Sequence, residues 1–135
     1  MDNNKFTFSK KEKLCSRKVI SMLFENGKSF NSEPFRVLWM KSNNELPFPA
    51  QTAISAGKKS FPRAVTRNRI KRLVREVWRL NKNELYRQLN QMSTQVYIMI
   101  LYTGTEVPEY GKLETQMKNL VRKFSLHLNA SPKNN

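Results

Sequence analysis

Residues 64–79 read AVTRNRIKRLVREVWR, with six Arg or Lys side chains against a single acid, Glu76. Groups at this density are suited to holding anions. Arg in particular offers a planar fork to a phosphate and stacks on exposed bases. Wound at about 100° per residue, Ile70, Leu73, Val74, Val77 and Trp78 share one stripe, the pattern of a helix with one buried face. Asn68, Arg69, Lys71, Arg72, Arg75 and Arg79 point away from it, and Arg67 lies at its edge, where packing and binding are both open to it. Like charges one turn apart repel, so a merely solvated helix usually mixes signs. A helix that tolerates the repulsion points to an anionic partner.

The residues needed for self-sufficient catalysis are sparse. His127 is the only histidine and Cys15 the only cysteine, too few for a usual zinc site, and no internal disulfide can form. The acids are scattered rather than paired, as a two-metal nuclease would require. Gly57-Lys58-Lys59-Ser60 lacks the first glycine of a phosphate-binding loop. Binding is better supported. Phe24, Phe30, Phe35, Trp39, Tyr97 and Tyr102 are flat groups that either pack a core or stack on unpaired bases, and a sheet covered on one side leaves the other open to a single strand.

The elements that must position these groups follow from period and punctuation. A short amphipathic helix over 16–26 ends at Gly27; a strand over 34–41 is followed by the turn-rich SNNELPFP and a second strand over 51–56. The two strands are expected to pair antiparallel. After a loop over 57–63, the basic helix runs to about Leu80, with a continuation towards Leu89 and a break near Asn81. QVYIMILY, residues 95–102, is a nearly continuous apolar strand of the kind buried on both faces. A last amphipathic helix covers 113–128. The 135 residues suit one α/β domain of helices packed on a small sheet, ordered over about 9–128, with unanchored termini.

The net charge of +15 says more about partners than about fold. Residues 58–87 hold eleven basic groups against two glutamates, so most of the field arises in one segment. RNA, DNA and an acidic membrane surface are the candidate polyanions. A helix-turn-helix would need a second helix just before the basic one, where Pro47, Pro49 and a strand stand instead. Membrane-surface binding would need the apolar stripe that the core requires. A ribosomal-type RNA binder stays open on charge alone. No run approaches the roughly 20 apolar residues of a membrane span, and the N-terminus lacks the apolar stretch of a secretory signal, so a cytoplasmic protein is expected.

The string Thr66-Arg67-Asn68-Arg69-Ile70-Lys71-Arg72-Leu73-Val74-Arg75 resembles the signature of the bacterial ribonuclease P protein subunit, whose RNR motif opens a basic helix. Ser55-Ala56-Gly57-Lys58-Lys59 is similar to an S-x-x-K-K element at the end of that family's second strand, and the helix ending Leu23-Phe24-Glu25-Asn26-Gly27 falls in the expected order. The resemblance covers about residues 10–128. It implies an α/β two-layer sandwich with a left-handed β-α-β crossover. It also implies assembly with a catalytic RNA that removes the 5′ leader of precursor tRNA, using Mg²⁺ bound mainly by the RNA. No protein partner and no membrane is implied. By motif, Lys58, Lys59, Arg67, Asn68, Arg69, Lys71, Arg72 and Arg75 would contact the catalytic RNA. The leader would lie between the N-terminal helix and the sheet, near Ile20, Phe24, Phe35, Leu38 and Trp39. Ile20 and Leu38 stand where the family often has aromatic residues.

Overall fold

A computed structural model describes residues 7–130; the expectation of unanchored termini falls outside it for residues 1–6 and 131–135. Four helices, α1 (Arg17–Asn26), α2 (Ala64–Asn81), α3 (Asn83–Gln91) and α4 (Tyr110–Ala130), surround strands β1 (Lys28–Ser32), β2 (Phe35–Lys41), β3 (Ala50–Ala56) and β4 (Val96–Tyr102). The sheet order is β1-β2-β4-β3. β4 pairs antiparallel with β2 and parallel with β3. The expected antiparallel pairing of the second and third strands is therefore corrected: β4 lies between them. Its continuous apolar run fits the centre of the sheet, where both faces are covered. β1, not anticipated, pairs antiparallel with β2 through a turn at Glu33 and Pro34.

Each face of the sheet buries a different cluster. Phe35, Val37 and Trp39 of β2 join Ile98 and Ile100 of β4 under Ile70, Val74, Val77 and Trp78 of α2 and Leu113, Met117, Leu120 and Phe124 of α4. Leu38 of β2, with Tyr97 and Met99 of β4, packs under Leu14 and Leu23 on the α1 side. Leu73 lies at the edge of the main core rather than inside it. Phe8 also packs there, although its polar neighbours in sequence suggest an unanchored tail.

Local chemistry sets the helix ends. The Ser16 hydroxyl caps α1 by accepting from the Val19 amide at 3.2 Å. Gly27 follows α1 in extended conformation, with φ −69°, not in the left-handed one common at helix ends. A side chain is excluded there because a Cβ would stand 2.5 Å from the Leu23 carbonyl oxygen. The break after α2 falls at Lys82, one residue beyond the expected Asn81.

Lys82 explains why the chain is pinned at that junction. It is 2% exposed and its ammonium lies 2.8 Å from Oε2 of Glu12, itself 1% exposed. The Tyr86 hydroxyl donates to the same oxygen at 2.7 Å, and the Ser9 amide donates to Oε1 at 2.8 Å. This ties the segment before α1 to the start of α3. Beside it, Leu14 donates its amide to the Thr52 carbonyl and lays that segment along the β3 edge. Burial pushes the Glu12 carboxyl up, but the Lys82 and Tyr86 hydrogen bonds, the Ser9 amide and the Lys82 charge outweigh it and leave it below the ordinary carboxylate value. Burial and the bond to Glu12 push the Tyr86 hydroxyl well up, so it stays a donor. Among the described helices none is long and apolar enough to cross a membrane.

Because the Glu12 value is depressed in the folded state, its contribution is present above the ordinary carboxylate range and lost as pH falls through the folded value. Glu12→Gln leaves the Lys82 ammonium buried without a counter-charge and should cost about 3–5 kcal/mol near neutral pH. Denaturant titrations should show this cost shrinking as the wild type is acidified below about pH 4.5. Adding Lys82→Met to Glu12→Gln should restore part of the loss. Equal stability of the single variant and the wild type at neutral pH would contradict the role given to this pair.

Candidate nucleic-acid interface

The turn joining β3 to α2 is built from below. Phe61 is buried beneath it, with its ring 6.1 Å from that of Tyr102, and its amide closes the turn by donating to the Gly57 carbonyl at 3.1 Å. Tyr102 also packs edge-on against Phe35 and donates its hydroxyl to the Glu106 carbonyl at 2.8 Å. Gly104 is required by this arrangement, since a Cβ there would run into the Tyr102 hydroxyl. Lys58 and Lys59 are exposed on the upper side of the turn.

Arg67 resolves its two sequence readings in part. Nη1 donates to the carbonyls of Phe61 at 2.9 Å and Pro62 at 2.8 Å, clamping the turn onto the first turn of α2. Its fork is thus committed, at one nitrogen, to holding the approach to the helix. From there α2 presents Asn68, Arg69 and Arg72 exposed and Lys71 and Arg75 half-buried. None of Lys58, Lys59, Arg69, Lys71, Arg72 or Arg75 is in a salt bridge among the described residues. Further along, Arg79 differs. Its Nη2 lies 2.6 Å from Oε2 of Glu76 and its Nε donates to Oε1 at 3.2 Å. The Arg79 guanidinium holds the Glu76 carboxyl below its usual range. Along α2, the unpaired positive charge is therefore concentrated towards its start and in the turn before it, and the one acid of the helix neutralises a cation near its end.

The α1 face of the sheet is different in kind. Phe24 is 58% exposed on α1, Ile20 is half-buried, and Leu38 is 4% exposed on β2 within the cluster that α1 covers. Phe35 and Trp39 are corrected as leader contacts: they are 1% and 0% exposed and point to the opposite face. Trp39 donates Nε1 to Nδ1 of His127 at 3.2 Å and packs against Phe124 with centroids 5.6 Å apart. The alternation of β2 separates the two sets properly, but the aromatic set faces α4 and the aliphatic set faces α1. Alternation along β2 puts Arg36 and Met40 on the aliphatic face with Leu38; neither is among the contacts expected from sequence, nor are Asn31, Ser55 and Leu101. Register places Asn31, Arg36, Leu101 and Ser55 in one row across all four strands, on the face that Leu38 shares. Arg36 and Asn31 are exposed, and Ser55 and Leu101 half-exposed. Alternation from Leu38, combined with the strand pairing, is the signal that finds them. No group of three or more His, Cys, Asp or Glu gathers among the described residues.

The sequence matches the family model described as Ribonuclease P over residues 8–125. A relative in Porphyromonas gingivalis, named ribonuclease P protein component, is 37% identical over 118 residues, covering 87% of this chain and 86% of its own. One of the same name in Chlorobium phaeobacteroides is 30% identical over 127 residues, covering 87% of each chain. The solved RNase P protein from Thermotoga maritima superposes with a TM-score of 0.63 at 25% identity, covering 83% of this chain and 96% of that one. The Staphylococcus aureus RNase P protein shares the fold with a TM-score of 0.67 at 17% identity, over 84% of this chain and 94% of its own. An unpaired basic face on a crossover helix, the sheet that carries it and the sequence of both together place this chain in the ribonuclease P protein family, the protein subunits of the endoribonuclease that matures tRNA 5′ ends.

Proposed function

We propose that Lys58, Lys59, Asn68, Arg69, Lys71, Arg72 and Arg75 dock on the phosphodiester backbone of the catalytic RNA, with Arg67 setting the turn and reaching the same RNA with its remaining N–H groups. The observation that carries this reading is the set of unpaired cations on one side of α2 and the adjoining turn. In a neutral surface such charges would be interleaved with acids; here a polyanion is the missing counter-charge. The 5′ leader of precursor tRNA is assigned to the α1 side of the sheet. Phe24 offers a ring there, Ile20 and Leu38 an apolar wall, and Arg36 a phosphate contact at the open end. Among the described residues no three His, Cys, Asp or Glu gather, and Glu12 and Glu76 are already committed to Lys82 and Arg79. Mg²⁺ is therefore assigned mainly to the RNA, which carries the hydrolysis. The protein's part is to bind, orient and screen phosphate charge, and the holoenzyme is assigned to the cytoplasm.

Reconstitution tests the whole reading. A bacterial ribonuclease P RNA at low Mg²⁺ should cleave precursor tRNA at the mature 5′ end only when this protein is added, and the protein alone should cleave nothing. If the protein adds nothing to an RNA that is active by itself at high Mg²⁺, the reading fails.

Two pairs of variants test the parts. Arg72→Ala should weaken RNA binding, with the salt dependence flattened by roughly 0.9 in log–log slope per phosphate no longer neutralised, and leave the melting curve unchanged. Arg67→Ala should instead lower stability by about 1.5 kcal/mol, because the Phe61 and Pro62 carbonyls then have no side-chain donor. On the other face, Phe24→Ala should weaken binding of leader-bearing precursor by about 1–3 kcal/mol while sparing mature tRNA. Trp39→Ala should cost about 3–5 kcal/mol of stability, the signature of a core residue rather than a contact.

A further inference from the structure

Away from both faces lies an open groove of about 850 Å³ between α3 and α4, closed at one end by Leu80 and Asn81 of α2. Arg87 of α3 and Lys118 and Arg122 of α4 line it, all three exposed, against one acid, Glu84. None of these four is in a salt bridge among the described residues. The walls are held in place by a polar clasp. Gln88 donates Nε2 to the Ser125 carbonyl at 3.1 Å and to Asn129 Oδ1 at 3.2 Å, and the Ser125 hydroxyl donates back to Gln88 Oε1. The groove is thus a fixed feature between two clamped helices, and its cations stand on two different elements.

We infer that this groove is a second RNA-binding surface, which holds the sugar–phosphate backbone of a further segment of the catalytic RNA. The inference rests on the ribonucleoprotein reading above. The chemistry favours a polyanion strand over a small anion. The cations stand exposed along the rims, whereas a compact ligand would need charged donors converging in a buried pocket. The amides of Asn81, Gln88 and Gln91 in the lining suit ribose hydroxyls and phosphate oxygens. Position favours the catalytic RNA over the leader. α2, α3 and α4 all pack on the sheet face opposite α1. At 1.5 Å per residue, Asn81 lies about 18 Å along α2 from Arg69. The groove therefore extends the same side of the protein beyond the reach of the first basic face, to a neighbouring stretch of the same RNA.

The test is binding of the full-length protein to a ribonuclease P RNA across a range of monovalent salt. Arg87→Ala combined with Arg122→Ala should weaken binding about tenfold near physiological salt and flatten the log–log slope by roughly 0.9 for each phosphate no longer neutralised. Lys112→Ala, on α4 outside the groove, should leave both unchanged, and all the variants should melt with the wild type because the side chains are exposed. Hydroxyl-radical footprinting should show one patch of RNA protection disappearing in the double variant while the patch sensitive to Arg72→Ala persists. Equal affinity and slope for the double variant and the wild type would overturn the groove assignment alone. The same weakening from Lys112→Ala would overturn it too, by reducing the effect to overall charge. Loss of protection on precursor tRNA instead of the catalytic RNA would overturn the choice of partner. Failure of the wild type to bind the RNA at all would remove the ribonucleoprotein reading on which the proposal stands.

Discussion

The parallel pairing of β3 with β4 is the constraint from which the basic face follows. Antiparallel neighbours can be joined by a tight turn, but parallel ones need the chain to return across the whole sheet. That return is α2 and α3, and it must pack an apolar stripe on the sheet while its other side faces solvent. Because α2 starts just after β3 ends, its first turns stand at the edge of the sheet beside the turn that carries Lys58 and Lys59. The cations of two sequence segments become one surface through this connection. β4 makes the pairing possible: with nearly every residue apolar it tolerates cover on both faces and takes the central place between β2 and β3.

Charge is distributed with the same economy of position. Glu12 and Glu76 are each committed to a cation, Lys82 and Arg79 respectively. Both pairs sit at or near the far end of α2. Lys82 needs Glu12 because an ammonium buried to that degree without a partner would destabilise the fold by several kcal/mol. The exposed cations at the near end have no such need, since water screens them, and their mutual repulsion is small enough for the core to offset. Burial therefore accounts for the matching of Lys82, whereas Arg79, at the surface, is matched because Glu76 stands one turn before it.

Short-range period makes much of the fold legible in the sequence. α2 with its buried stripe, the continuous strand β4 and the C-terminal helix are all readable, and so is the split of β2 into two faces. What stays hidden depends on distant partners. β1, KSFNS, offers one large apolar residue, Phe30, and becomes a strand because β2 pairs with it and Phe124 packs edge-on against its ring at 5.3 Å. Which face of β2 is open is decided by Phe124 and His127, far along the chain, so the aromatic set that suggests a platform for bases is core. The Glu12–Lys82 pair joins residues seventy positions apart with no motif to announce it. Leu73, on the expected stripe, reaches only its edge because the stripe is wider than the area the sheet covers.

The two sides of the sheet are therefore suited to different kinds of recognition. The α2 side is polar, positively charged and rigidly backed by the main core, which suits affinity that is insensitive to sequence and sensitive to salt. The α1 side is covered by a ten-residue helix over a small cluster; besides Arg36 it carries the exposed Arg17 and Lys18 of that helix, and its ring and apolar surface is more open, with Phe24 58% exposed. Contacts there would rest on ring and apolar surface, which distinguish an unpaired strand from a duplex because only unstacked bases expose their faces. A large folded RNA and a short single-stranded leader make these two opposite demands. On the proposed reading one layer of backbone would separate these demands: Phe35 and Trp39 pack under α2 and α4, while Leu38, between them in sequence, packs under α1.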